Sequence, residues 1–176
     1  MVIPRDGVWT ASGRIGRVLA CAPALVMPLA DALAGPSPPA YRDDRSTPQA
    51  VVTSLYNAVE RGEYLRAWSY FRDEPGRPDF DSFAKGYEGT RHVRVRLGKA
   101  ASEGAAGSIY YSLSAVVEAT SAKGSVQVFS GCYRLRLVQP AAQATPPFQP
   151  MGIVKGSLAK TTASFSKAQG SCADAP

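Results

Sequence analysis

The chain has 176 residues, 45% hydrophobic and 19% charged, with a formal net charge of +6 at pH 7. These values fit one globular domain with a real core and exclude disorder of the whole chain. A single histidine and three cysteines leave little material for metal sites or nucleophilic triads.

Residues 1–34 read as a secretory signal. Arg14 and Arg17 precede an apolar run from Val18 to Ala30, and Ala32, Leu33 and Ala34 form a small-x-small site with cleavage expected after Ala34. A membrane anchor would need roughly 20 apolar residues, and this run is shorter and broken by Pro23 and Pro28. A lipoprotein signal ending at Cys21 would put Arg14, Gly16 and Arg17 where its greasy core must lie. An organelle transit peptide stays open as an alternative. Export is therefore expected, to a periplasmic or extracellular compartment. Loss of three arginines and two aspartates with the signal leaves about +5, and the cysteines that remain are the even pair Cys132 and Cys172.

Residues 35–46, GPSPPAYRDDRS, are Pro-rich and then charged, which predicts a flexible leader. The domain is expected over 47–165. Thr47 as N-cap and Pro48 at the first helical position open a helix whose stripe of Val52, Leu55 and Val59 runs until Gly62. Tyr64, Ala67, Trp68 and Phe71 fall at helical spacing in a second segment, ended by DEPGRP. A third helix starts at Asp79 and carries Phe80 and Phe83 to Gly86.

After Gly89 the hydrophobic period changes from about 3.6 to about 2 residues. Strands are predicted over 91–97, 108–120, 125–138 and 151–162. SAKG, residues 121–124, is a hairpin loop, and GKAASEGAAG, residues 98–107, reads as another. Residues 139–150 hold four prolines and form a long extended connection. Residues 166–176 are a tail without apolar pattern. Helices first and antiparallel strands after give an α+β domain with the helices on one face of the sheet.

The opening helix TPQAVVTSLYNAV, the aromatic YLRAWSYF and the long strands that follow resemble the cone-shaped fold named after nuclear transport factor 2. GSIYYSL with FSGCYRLRLVQPAAQATPPFQPMGI looks like a group of uncharacterised secreted bacterial proteins with that fold. The resemblance spans residues 47–162. It implies a strongly curved sheet around a pocket and no particular activity. Enzymes of this fold, isomerases and cyclases among them, place an Asp, or an Asp and a His, inside the cone.

No carboxylate or imidazole meets that requirement. His92 alternates with Val93, Val95 and Leu97 and so shares the wet face with Arg94 and Arg96. Asp79 and Asp81 are explained by helix capping. Glu118 lies opposite the face of Leu113 and Val117. No catalytic residue, metal or cofactor is expected. An isomerase, cyclase or hydrolase-like enzyme using the cone is the alternative function.

Parity directs Val93, Val95, Leu97, Ile109, Tyr111, Leu113, Phe129, Tyr133, Leu135 and Leu137 inward, facing Leu55, Val59, Trp68 and Phe71. Two readings of this set stand. It is filled core, or it encloses an apolar site in which Tyr56, Trp68, Tyr111, Phe129 and Tyr133 meet a small apolar ligand. On the outer face Arg94, Arg96, Arg134 and Arg136 form a basic stripe. The stripe is a solvated face, or it attracts an anionic envelope component. Nucleic acid does not suit an exported chain, and a homodimer stays open. Cys132 and Cys172 are expected to be joined, with the tail pinned across the outer face beside the stripe.

Overall fold

A computed structural model describes residues 37–172. The expected signal, residues 1–34, lies outside them. The elements follow in the order α1 (Pro48–Glu60), α2 (Tyr64–Trp68), α3 (Phe80–Tyr87), β1 (Thr90–Ala105), β2 (Ser108–Ser121), β3 (Val126–Val138), a short 3-10 turn (Pro140–Ala142) and β4 (Gly152–Thr161). The four strands form one antiparallel sheet in the order β1-β2-β3-β4. The domain is α+β, with all three helices on the same side of the sheet as the main core.

Local chemistry sets α1. The Thr47 hydroxyl accepts the Ala50 amide at 3.0 Å, Pro48 fills the first turn where no amide is needed, and Gly62 at φ +70° turns the chain away. Val51, Val52, Leu55, Tyr56, Ala58 and Val59 are all buried. Burying a Val or Leu side chain contributes about 1.5–3 kcal/mol, so this stripe anchors the helix on the sheet. Asp79 caps α3 in the same way, accepting the Ser82 amide at 2.9 Å, and that bond holds its carboxyl below the usual range.

Three segments depart from the sequence expectation. The second helix stops at Trp68, short of the expected Phe71. Phe71 instead bridges in parallel to Ile153, with Tyr70 O accepting the Ile153 amide and Ile153 O accepting the Arg72 amide, each at 2.8 Å. Pairing with β4 satisfies this backbone where one more helical turn would have left the outer edge of β4, whose other edge pairs with β3, open at its start. Residues 98–105, expected as loop, are strand. A bulge between Leu97 and Ala100 absorbs one residue, and the turn to β2 is only Ala106 and Gly107, at φ +37° and +75°. Gly, Ala and Ser on both faces of that segment show no alternation, so the period-2 signal is silent there.

The third departure is the leader. Residues 39–46 lie along α1 and α2, tied by their backbone. Ser54 is fully buried, yet its hydroxyl accepts the Asp44 amide at 2.9 Å and donates to the Asp44 carbonyl at 3.2 Å. Asn57 accepts the Arg42 amide and donates to the Ala40 carbonyl, while Arg61 and Arg66 donate to the Pro39 and Arg42 carbonyls. Tyr41 stacks beneath the Arg66 guanidinium at 4.5 Å, and Arg45 lies over Tyr70 at 4.2 Å. The leader is a strap rather than a free linker.

The tail crosses the opposite face of the sheet. Cys132 and Cys172 are joined, with their Cα atoms 5.0 Å apart. Between strand and bond, Ala163, Phe165 and Ala168 cover Val116 and Val128 in a second, smaller apolar cluster.

Candidate functional site

Under the β2–β3 hairpin the inner face is not filled. A chamber of about 520 Å³ opens there, between α3, the end of α1 and the first halves of β1 and β3. Val93, Val117, Phe129, Phe83 and Leu158 give it apolar walls, and Ser82, Thr90, Ser121, Ser125 and Gln127 supply neutral polar groups. Fifteen residues line it, and none of them is Asp, Glu, Lys, Arg or His. Its volume falls within the roughly 300–1,000 Å³ typical of small-molecule pockets.

The phenols lie at the inner end. Tyr56 of α1 and Tyr133 of β3 meet hydroxyl to hydroxyl at 2.5 Å, with their rings edge to face. Tyr87, the last residue of α3, stands beside them and packs on Phe83. Burial pushes the Tyr56 phenol well above its ordinary range, and the neighbouring Tyr133 and Tyr87 push it further. Burial likewise raises Tyr133 and Tyr87. All three phenols are therefore neutral through the physiological range. Gly156 makes room for this arrangement, because a Cβ there would lie 2.8 Å from the Tyr133 ring.

A second hollow of about 420 Å³ lies behind a partition made by Phe83, Tyr87 and Leu158, which line both spaces. Tyr56 belongs to the wall of the chamber and Tyr133 to the wall of the hollow. Their shared hydrogen bond thus connects the two.

The residues expected to form one site are divided among three places. Tyr56 and Phe129 line the chamber, and Tyr133 closes it from behind. Trp68 is elsewhere: its indole donates to the Pro78 carbonyl at 2.8 Å, with Phe80 at its edge and the Arg77 guanidinium 3.2 Å above its ring. Tyr111 faces inward opposite Leu135, toward the β1–β2 turn, at the other end of the sheet from the chamber. Sequence reasoning missed Tyr87, Thr90, Ser121 and Gln127. For Tyr87 a signal existed, since Phe80, Phe83 and Tyr87 fall at i, i+3 and i+7.

The four arginines do share the outer face, and each is already engaged. Arg94 pairs with Glu118 at 2.7 Å and lies over the Phe165 ring. Arg96 donates to the Phe165 carbonyl at 2.9 Å and to the Ala168 carbonyl, so it holds the tail. Arg134 bonds Ser112 and Glu103, Arg136 bonds Ser108 and Glu74, and the two guanidinium groups flank Tyr110. His92 is 61% exposed at its side chain and rests on Glu60, at the rim of α1.

Among the described residues no group of three or more His, Cys, Asp or Glu side chains converges as a metal site, and no helix is long and apolar enough to cross a membrane. No protein-family model, curated protein or solved structure matches the chain.

Proposed function

We propose that the chain is an exported, non-catalytic domain that binds a small, mainly apolar molecule in the chamber under the β2–β3 hairpin. The observation that carries this reading is the lining: about 520 Å³ of space bounded by apolar and neutral polar side chains, with buried phenols at its inner end. Charge buried without a partner is costly, so such a wall favours uncharged guests. General acid–base catalysis needs a group that titrates near the working pH, and a raised phenol is poorly suited to that. This weighs against the isomerase, cyclase or hydrolase alternative.

Export draws support from the order of charge, apolar run and small-residue site in 1–34 and from the Cys132–Cys172 bond, which persists in oxidising compartments. The cone-shaped fold named after nuclear transport factor 2 is part of the same proposal. Helices gathered on one side of an antiparallel sheet, over a chamber at one end, are compatible with it. The basic stripe is not our choice of binding surface, because its guanidinium groups are matched to internal carboxylates, hydroxyls and tail carbonyls.

Native mass spectrometry of protein purified from its own compartment tests the reading. A carried small molecule, released on denaturation, is expected. Protein that arrives empty and binds no apolar probe would refute it.

A further inference from the structure

The tail and the chamber meet the same two strands from opposite faces. Gly170 of the tail is pressed against the backbone of Ala115 in β2 and Gly131 in β3, which are register partners. Two residues further along, the pair Val117 and Phe129 lines the chamber on the inner face. Gly131 is also where β4 comes close to β3, because a side-chain carbon there would run into the Ser157 carbonyl and the Leu158 backbone. That approach carries Leu158, the register partner of Gly131, into the chamber wall and into the partition before the second hollow. The Cys132–Cys172 bond anchors the tail one residue from Gly131. On the outer face a hollow of about 380 Å³ opens beside it, lined by Cys132, Ser171 and again Leu158. We infer that the bonded tail is a clamp on the chamber, and that reduction of Cys132–Cys172 by an external dithiol opens the clamp and weakens the hold on the guest.

The step is a thiol–disulfide exchange. A thiolate of the dithiol attacks Sγ of Cys172, the more exposed of the two residues, and the electron pair of the S–S bond passes to Cys132, which takes up a proton. The second thiol then displaces Cys172 from the mixed disulfide, so the dithiol ends as a disulfide and both cysteines as thiols. Arg96 still holds the Phe165 and Ala168 carbonyls, so the stretch that comes away begins near Gly170. Packed interiors transmit such a change. Without Gly170 behind it the close approach at Gly131 relaxes, Leu158 withdraws from the chamber wall, and apolar contact with the guest is lost. Linkage makes the effect mutual: a guest that prefers the bonded form makes the bond harder to reduce by the same factor.

This inference rests on the ligand-binding reading, so its first test uses no guest. Amide spectra of ¹⁵N-labelled protein are compared in the oxidised form and after reduction with dithiothreitol, with folding checked by thermal melting. Phe83 and Tyr87 border Leu158 on the inner side, across the sheet from the tail. Their amides and that of Leu158 are expected to move on reduction. Changes confined to the tail and the neighbours of Cys132 would overturn the clamp. The second test measures binding of 2-acetylnaphthalene by calorimetry. Reduced protein, and Cys132→Ser with Cys172→Ser, are expected to bind at least about 5-fold more weakly than oxidised protein, the lower end of usual coupling between sites. Saturating probe should then lower the reduction midpoint of the bond by about 20 mV, which is that factor at about 30 mV per tenfold. Gly170→Ala keeps the bond but lifts the tail off the Ala115–Gly131 pair, so it should shift the same amides and weaken the probe in the same direction. It carries both tests if the reduced forms unfold. Equal affinity in all these forms, or a midpoint unmoved by saturating probe, would overturn the inference. A probe that fails to bind even the oxidised protein would overturn the ligand-binding reading, and the guest-free spectra then decide the clamp alone.

Discussion

Gly170 of the tail rests on the backbone of Ala115 in β2: a side-chain carbon added at Gly170 would lie 2.5 Å from the Ala115 carbonyl oxygen and 2.6 Å from its nitrogen. Gly131 O of β3 would be 2.7 Å away. These are backbone atoms of central strands and cannot step aside. Gly170→Ala is therefore expected to lift the tail and to cost about 1–3 kcal/mol, as overpacking does. Gly104→Ala, with nothing within 4 Å of the new carbon, should stay within about 0.5 kcal/mol. Urea denaturation of the two variants compares them, and equal stabilities would show that the tail does not lie on the sheet.

Removal of the tether has a separate consequence. The Cys132–Cys172 bond closes a loop over a sequence separation of 40, for which the chain-entropy model gives roughly 4 kcal/mol. Cys132→Ser with Cys172→Ser should lose about 2–4 kcal/mol against the oxidised protein and make the segment after Thr161 the first site of proteolysis. Arg96, Phe165 and Ala168 would still hold the tail in part. Stability unchanged by the double substitution would contradict the tether.

High pH should act through the buried phenols. Tyr56, Tyr87 and Tyr133 all have folded-state pKa values raised by burial above the unfolded value of about 10. Below that value both states hold these protons and the groups add no pH dependence. Above it the unfolded chain loses protons that the folded chain keeps, so stability falls as pH rises, by up to about 1.4 kcal/mol per pH unit for each phenol. Urea denaturation at stepped pH from 9 to about 11.5 should show this fall, with a shallower slope in Tyr133→Phe. Tyrosinate absorbance that develops fully near pH 10 in the still folded protein would contradict the burial of the cluster.

His92, for all its solitude in the sequence, is outside the chamber wall and rests on Glu60. His92→Gln is expected to leave binding of a small apolar probe such as 2-acetylnaphthalene unchanged in calorimetry. A marked loss of affinity would move the site toward the rim of α1.

Legibility in the sequence followed the strength of local chemistry. The Thr47–Pro48 start, the Asp79 cap and the outward direction of Cys132 beside Arg134 and Arg136 were readable, because capping and strand parity act over a few residues. The glycine- and alanine-rich part of β1 was not, since small side chains on an exposed edge leave no alternation to detect. Trp68 and Tyr111 seemed to join Tyr56 and Tyr133 because parity assigns a face of the sheet but no position along it. Ser54 and the leader were hidden for another reason. A strap held by Asp44, Arg42 and Ala40 backbone groups depends on geometry that side-chain identity does not encode.

The most direct test of the chamber as a binding site is a titration of ¹⁵N-labelled protein with 2-acetylnaphthalene, followed by amide shifts. The account predicts shifts gathered at Thr90, Val93, Ala119, Gln127 and Phe129, with Arg134, Arg136 and the tail unmoved. Shifts confined to the outer face, or none at saturating probe, would contradict it.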